Sequence, residues 1–125
     1  EKDFGALSQG QRQIVILARC IVQDSPVMLM DEPDSALDFL NRHMVLSKIR
    51  ELIKEENKAG LITLHDPNFA MAYCDRLLLL KEGRLVGELD MRRAKADEVK
   101  KKLSLIYGDI ELLQSGDSFL MGKAL

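Results

Sequence analysis

The sequence has 125 residues, 46% of them apolar and 30% charged, with a net charge of −2. That length holds one small domain or a piece of one with a genuine core, and the composition is that of a folded chain rather than a disordered one. Charges of both signs are interspersed, so no broad basic face for nucleic acid is expected, and no apolar run approaches the roughly 20 residues that span a bilayer. Cys20 and Cys74 stand far apart among apolar neighbours and are expected as buried free thiols, which fits a reducing compartment.

In chain order, Leu7-Ser8-Gln9-Gly10-Gln11 precedes Ile14, Leu17, Ala18 and Ile21 at helical spacing, with Val15 and Val22 widening the stripe. This predicts an amphipathic helix with Ser8 near its start. Its open N–H groups and positive dipole end suit an anion, and Gly10 would let one come close; equally, Ser8 and Gln11 have the spacing of a capping box. Asp24-Ser25-Pro26 ends the helix, and Val27 to Met30 reads as a strand buried on both faces, stopped by Pro33. Asp31 and Glu32 stand at its carboxyl end, the edge where open α/β sheets bind ligands. Two carboxylates there fit a cation and an activated water, or merely the first residues of a solvated turn.

Asp34 and Ser35 offer caps to a second helix with an apolar stripe of Leu37, Leu40, Met44, Ile49, Leu52 and Ile53, ended by Gly60. Leu61 to Leu64 reads as another short buried strand, followed by His65 and Asp66 as Asp31 and Glu32 follow theirs. A lone histidine in that place also fits a structural role, with Asp66-Pro67 opening a helix through Tyr73. Arg76 to Lys81 and Arg84 to Leu89 flank Glu82-Gly83 as a hairpin, Met91 to Leu105 reads as a surface helix, and Ser115-Gly116-Asp117 centres a terminal hairpin.

In this order, Leu7-Ser8-Gln9-Gly10-Gln11, Val27 to Pro33, Ser35-Ala36-Leu37-Asp38 and His65 resemble the signature sequence, Walker B strand, D-loop and switch histidine of the ATP-binding subunits of ATP-binding cassette (ABC) transporters. The resemblance implies an α/β, P-loop NTPase-like fold, three-layered with a mostly parallel sheet. It divides the chain into residues 1–90, the carboxyl-terminal part of the ATPase domain, and 91–125, a helix with a small hairpin extension.

It further implies that Asp31 holds Mg²⁺ through water, that Glu32 polarises the attacking water and that His65 contacts the γ-phosphate. Ser8, Gln9, Gly10 and Gln11 would face the ATP of an opposite subunit, with Asp38 at that interface. Gln9 stands where the family commonly has Gly, and Asp34 where it commonly has Thr. No G-x-x-x-x-G-K-[ST] phosphate loop occurs. The chain begins at Glu1 rather than Met, so it is expected to be the carboxyl-terminal half of a cassette, inactive alone and prone to self-association.

The pattern His65-Asp66-Pro67-Asn68-Phe69-Ala70 and the tail through Tyr107-Gly108-Asp109 resemble importer cassettes for iron-siderophore, haem or cobalamin complexes. The implied partners are a second ATPase subunit in a head-to-tail dimer, transmembrane permease subunits and an extracytoplasmic solute-binding protein. The implied location is the inner face of the cell membrane. The alternatives are a cassette for another small solute, or a soluble cassette ATPase without a transport role.

Overall fold

The computed structural model describes residues 3–125. The chain divides into two compact units, one ending at His65 and the other Asp66–Leu125. The sequence division at 90/91 follows the motifs and falls inside the second unit.

The first unit contains a short 3₁₀ turn at Phe4–Ala6 and then α1 (Gln9–Val22), β1 (Val27–Asp31), α2 (Phe39–Glu55) and β2 (Ala59–Thr63). The strands are parallel, with Val27 opposite Ala59 and Asp31 opposite Thr63. A parallel pair needs a long crossover, and α2 supplies it. Leu17, Met28, Val45, Leu46 and Ile49 form the buried apolar set of this unit. Burying side chains of this size contributes about 1.5–3 kcal/mol each.

The second unit runs α3 (Pro67–Tyr73), β3 (Arg76–Lys81), β4 (Arg84–Asp90), α4 (Ala96–Tyr107), β5 (Ile110–Ser115) and β6 (Ser118–Lys123). Both strand pairs are antiparallel hairpins. Glu82 and Gly83 turn the first at φ 50° and 73°, the left-handed pair that a tight two-residue hairpin requires. Met71, Leu77, Leu79, Leu89, Val99, Leu103, Ile110 and Phe119 pack into one core.

The α/β class, the parallel core pair and both hairpins match the sequence reading. The described strands form three two-stranded sheets, so parallel pairing is confined to β1 and β2. Several local expectations are corrected. β1 is buried on one face only: Met28 is covered, while Leu29 is 76% exposed, with Val27 and Leu61 exposed beside it. The pleat sends alternate side chains to opposite faces, and of the two only the face of Met28 is covered.

The stripe of α2 is shifted. Val45, Leu46 and Ile49 are buried, whereas Leu40 and Met44 are exposed. Gly60 does not end α2. The helix stops at Glu55, Asn57 turns the chain at φ 50°, and Gly60 lies inside β2 opposite Met28. The helix expected from Met91 starts at Ala96, and two of its apolar residues, Val99 and Leu103, are fully buried rather than superficial, while Leu105 and Tyr107 are exposed. Neither Cys20 nor Cys74 is in a disulfide, and both are half-buried rather than buried.

Candidate functional site

The parallel register brings the polar ends of β1 and β2 together. Thr63 Oγ1 donates to Asp31 Oδ1 at 2.6 Å and accepts from the Glu32 backbone N–H at 2.9 Å. Two residues beyond Thr63, His65 Nε2 lies 2.5 Å from Glu32 Oε1. Of the expected site residues, Asp31, Glu32 and His65 therefore meet in one cluster at the carboxyl edge of the sheet. An ionised carboxylate only accepts hydrogen bonds, so against an ionised Glu32 it is Nε2 that carries the proton.

Glu32 sits at φ 46°, in the left-handed region. For a residue with a Cβ this backbone costs on the order of 1–3 kcal/mol and persists only where its surroundings hold it. Here the N–H is held by Thr63, and the Glu32 carbonyl accepts from the Ser35 N–H at 3.0 Å. The turn aims the Glu32 side chain at His65 instead of letting the strand run on. Both side chains are accessible, His65 at 84% and Glu32 at 40%, so the pair is open to a ligand.

Asp31 offers hard carboxylate oxygen beside a hydroxyl. Among the described residues no cluster of three or more His, Cys, Asp or Glu could cage a metal ion. That donor set fits Mg²⁺, which is ordinarily bound by one or two carboxylates together with water and substrate phosphate oxygens.

At the start of α1 the capping box is formed: Ser8 Oγ accepts from the Gln11 N–H at 3.2 Å, and Gln11 Oε1 accepts from the Ser8 N–H at 3.1 Å. The cap uses a lone pair of the hydroxyl, which leaves its proton able to bond an anion. Gly10 is buried, and a Cβ there would lie 3.1 Å from both Asn41 Oδ1 and Met44 Cε. Its bare Cα thus serves close packing of α1 on α2. Gln9 is an exposed residue of the first turn.

Asp38 caps α2 by accepting from the Asn41 N–H at 2.8 Å. This corrects the expectation that Asp34 and Ser35 cap that helix. Asp34 is instead buried, with Oδ2 3.6 Å from Arg42 Nε one turn into α2. A buried carboxylate needs such a partner, and the guanidinium supplies it.

Sequence reasoning missed Thr63. Its signal was present as a hydroxyl residue in the last position of the second strand, but only the register shows that it stands opposite Asp31.

The features of this chain that bear comparison with known proteins are a carboxylate pair closing a parallel strand, a histidine just beyond the neighbouring strand and a capped helix preceded by Leu7-Ser8. The family model described as ABC transporter matches residues 1–35. A hemin import ATP-binding protein of Vibrio parahaemolyticus is 38% identical over 113 residues, 86% of this chain and 42% of that protein. A cobalamin import ATP-binding protein of Halobacterium salinarum is 39% identical over 84 residues, 67% of this chain and 21% of that protein. Among solved structures, a metal-chelate type ABC transporter in an inward-facing conformation superposes with a TM-score of 0.77 at 30% identity, covering 98% of this chain and 49% of that one.

Over these residues the chain is similar to the ATP-binding subunits of ABC transporters. It spans less than half the length of the relatives it matches.

Proposed function

We propose that the chain forms the signature, Walker B, D-loop and switch-histidine portion of an ATP-hydrolysing subunit that powers an importer of iron-siderophore, haem or cobalamin complexes. The observation that carries this reading is the 2.5 Å pairing of Glu32 with His65 next to Asp31. The import functions of the hemin and cobalamin relatives support the substrate class.

In this reading the Glu32 carboxylate orients and polarises the water that attacks the γ-phosphate, and His65 fixes that carboxylate while contacting the phosphate. Phosphoryl transfer needs little more from the protein than such positioning and the stabilisation of charge. Asp31 is the residue that would hold Mg²⁺ through water. When bound, Mg²⁺ neutralises charge developing on the phosphate oxygens. The Ser8 hydroxyl and the α1 amino terminus face the nucleotide of a second cassette, with Asp38 at the same interface. The partners are that second subunit, a membrane permease and an extracytoplasmic binding protein, which place the subunit on the inner membrane face.

The sequence contains no phosphate loop, so the loop and lysine that cradle the phosphates come from outside these residues. The test is ATP hydrolysis by the complete subunit with its permease in liposomes. Glu32→Gln is expected to lower kcat by about 100-fold or more while ATP still binds. Wild-type turnover in that variant would remove Glu32 from the reaction. Turnover by the 125-residue chain alone, lost in Glu32→Gln, would show that no external phosphate loop is needed.

A further inference from the structure

We infer that Thr63 is a positioning residue for both carboxylates of the site, an assignment that rests on the ATP-hydrolysing reading above. One hydroxyl makes both bonds: its proton goes to Asp31 Oδ1 at 2.6 Å, and its oxygen accepts the Glu32 N–H at 2.9 Å. A threonine hydroxyl has one donor and two acceptor positions, so a single side chain can hold two neighbours of opposite polarity.

The first bond fixes the rotation of the Asp31 carboxylate through Oδ1, which would leave Oδ2 to hold a hydrated cation. The second bond gives the left-handed Glu32 backbone a fixed acceptor from the adjacent strand. Thr63 touches neither phosphate nor the attacking water in this scheme and acts through the two acids. Its place on β2, opposite Asp31, makes the hold rigid, because the strand pairing itself sets the distance. A hydroxyl on a flexible loop would not fix either group as closely.

The test uses the complete ATP-binding subunit as wild type, Thr63→Val, Thr63→Ser and Thr63→Ala. ATP affinity with and without Mg²⁺ gives the Mg²⁺-dependent gain, and hydrogen exchange of the Glu32 amide without nucleotide gives the hold on the turn. Groups that support a metal ligand typically change metal affinity by about 10–100-fold. Thr63→Val is therefore expected to lose about 10-fold or more of the Mg²⁺-dependent gain, to leave Mg²⁺-free ATP affinity unchanged and to exchange the Glu32 amide faster. Thr63→Ser restores all three.

Thr63→Ala follows the Val pattern and replaces it should the branched variant fail to fold. A Val or Ala variant that keeps the wild-type gain or the wild-type exchange overturns the assignment, as does a Ser variant impaired like Val. A wild-type subunit with no Mg²⁺-dependent gain overturns the proposed function and this assignment together. A gain that survives the loss of the hydroxyl overturns the assignment alone.

Discussion

Asn68 holds the backbone of Met121 with both ends of its side-chain amide. Nδ2 donates to the Met121 carbonyl at 3.1 Å, and Oδ1 accepts from the Met121 N–H at 2.7 Å, across 53 residues of sequence. The side chain thereby behaves as one more strand residue alongside β6. It joins the first turn of α3, just after His65, to the terminal hairpin. Removing it strands two partly buried backbone groups, each at about 1–3 kcal/mol. Asn68→Ala is expected to destabilise the fold by about 2 kcal/mol in urea unfolding, and Asn68→Asp, which sets an acceptor against the Met121 carbonyl, by at least as much. A loss within about 0.5 kcal/mol, the range of ordinary surface changes, would show that the hairpin docks without this clasp.

Ser8 lets capping be separated from ligand contact. Ser8→Ala removes the cap of α1 and is expected to cost about 1 kcal/mol. Ser8→Asp keeps a capping oxygen and stability close to wild type, but sets a negative charge where a phosphate is proposed to sit. ATP turnover by the complete subunit should therefore fall in Ser8→Asp while its melting temperature holds. Equal turnover in wild type and Ser8→Asp would confine Ser8 to the cap.

The Arg92 side-chain hydrogen bond holds the Asp90 carboxyl below the ordinary carboxylate range, with smaller help from the Arg92 backbone N–H and the charges of Arg92 and Arg93, against an opposing effect of burial. A depressed folded pKa makes a stabilising contribution that is present above the unfolded value near 3.9 and lost as the pH falls through the lower folded value. Carbon-detected NMR titration should find Asp90 protonating at lower pH than a model peptide. Arg92→Gln should move that midpoint up and make stability less sensitive to acid in this window. An unmoved midpoint would mean that the arginine does not set it.

A Cβ at Gly60 would lie 2.3 Å from Ile53 Cδ1, at the contact of β2 with α2. Gly60→Ala is therefore expected to lose about 1 kcal/mol through overpacking, despite the gain from a stiffer unfolded chain. Ile53→Val deletes the clashing methyl, so the same glycine substitution should be close to neutral in that background. The coupling in the double-mutant cycle should exceed about 0.5 kcal/mol, and additivity would mean that Ile53 simply rotates away.

Asp31, Glu32 and His65 could be found in the sequence because each follows a short apolar run, and a strand end is among the plainer signals a chain carries. The hairpins were legible for a similar reason, with Glu82-Gly83 and Ser115-Gly116-Asp117 standing between apolar runs. Contacts between segments were not legible. Asp34, Ser35 and Asp38 are all competent caps, and only the tertiary pairing of Asp34 with Arg42 leaves the start of α2 to Asp38. Gly60 carries the usual mark of a helix stop, yet its absent side chain answers to Ile53 across the strand–helix contact. Thr63 gains its meaning from the register alone.

That register has a consequence for how the protein matures. Asp31 faces Thr63 and Met30 faces Ile62. A slip of one residue in either direction would set hydrocarbon, Ile62 or Leu64, against the acid and turn every side chain of the strand to the wrong face. The apolar residues of β1 and β2 therefore act as a ruler for the chemistry at their ends. A chain assembled one notch out of step would lose the bonds of Thr63 to Asp31 and Glu32 however compact it was, so those two bonds report strand alignment.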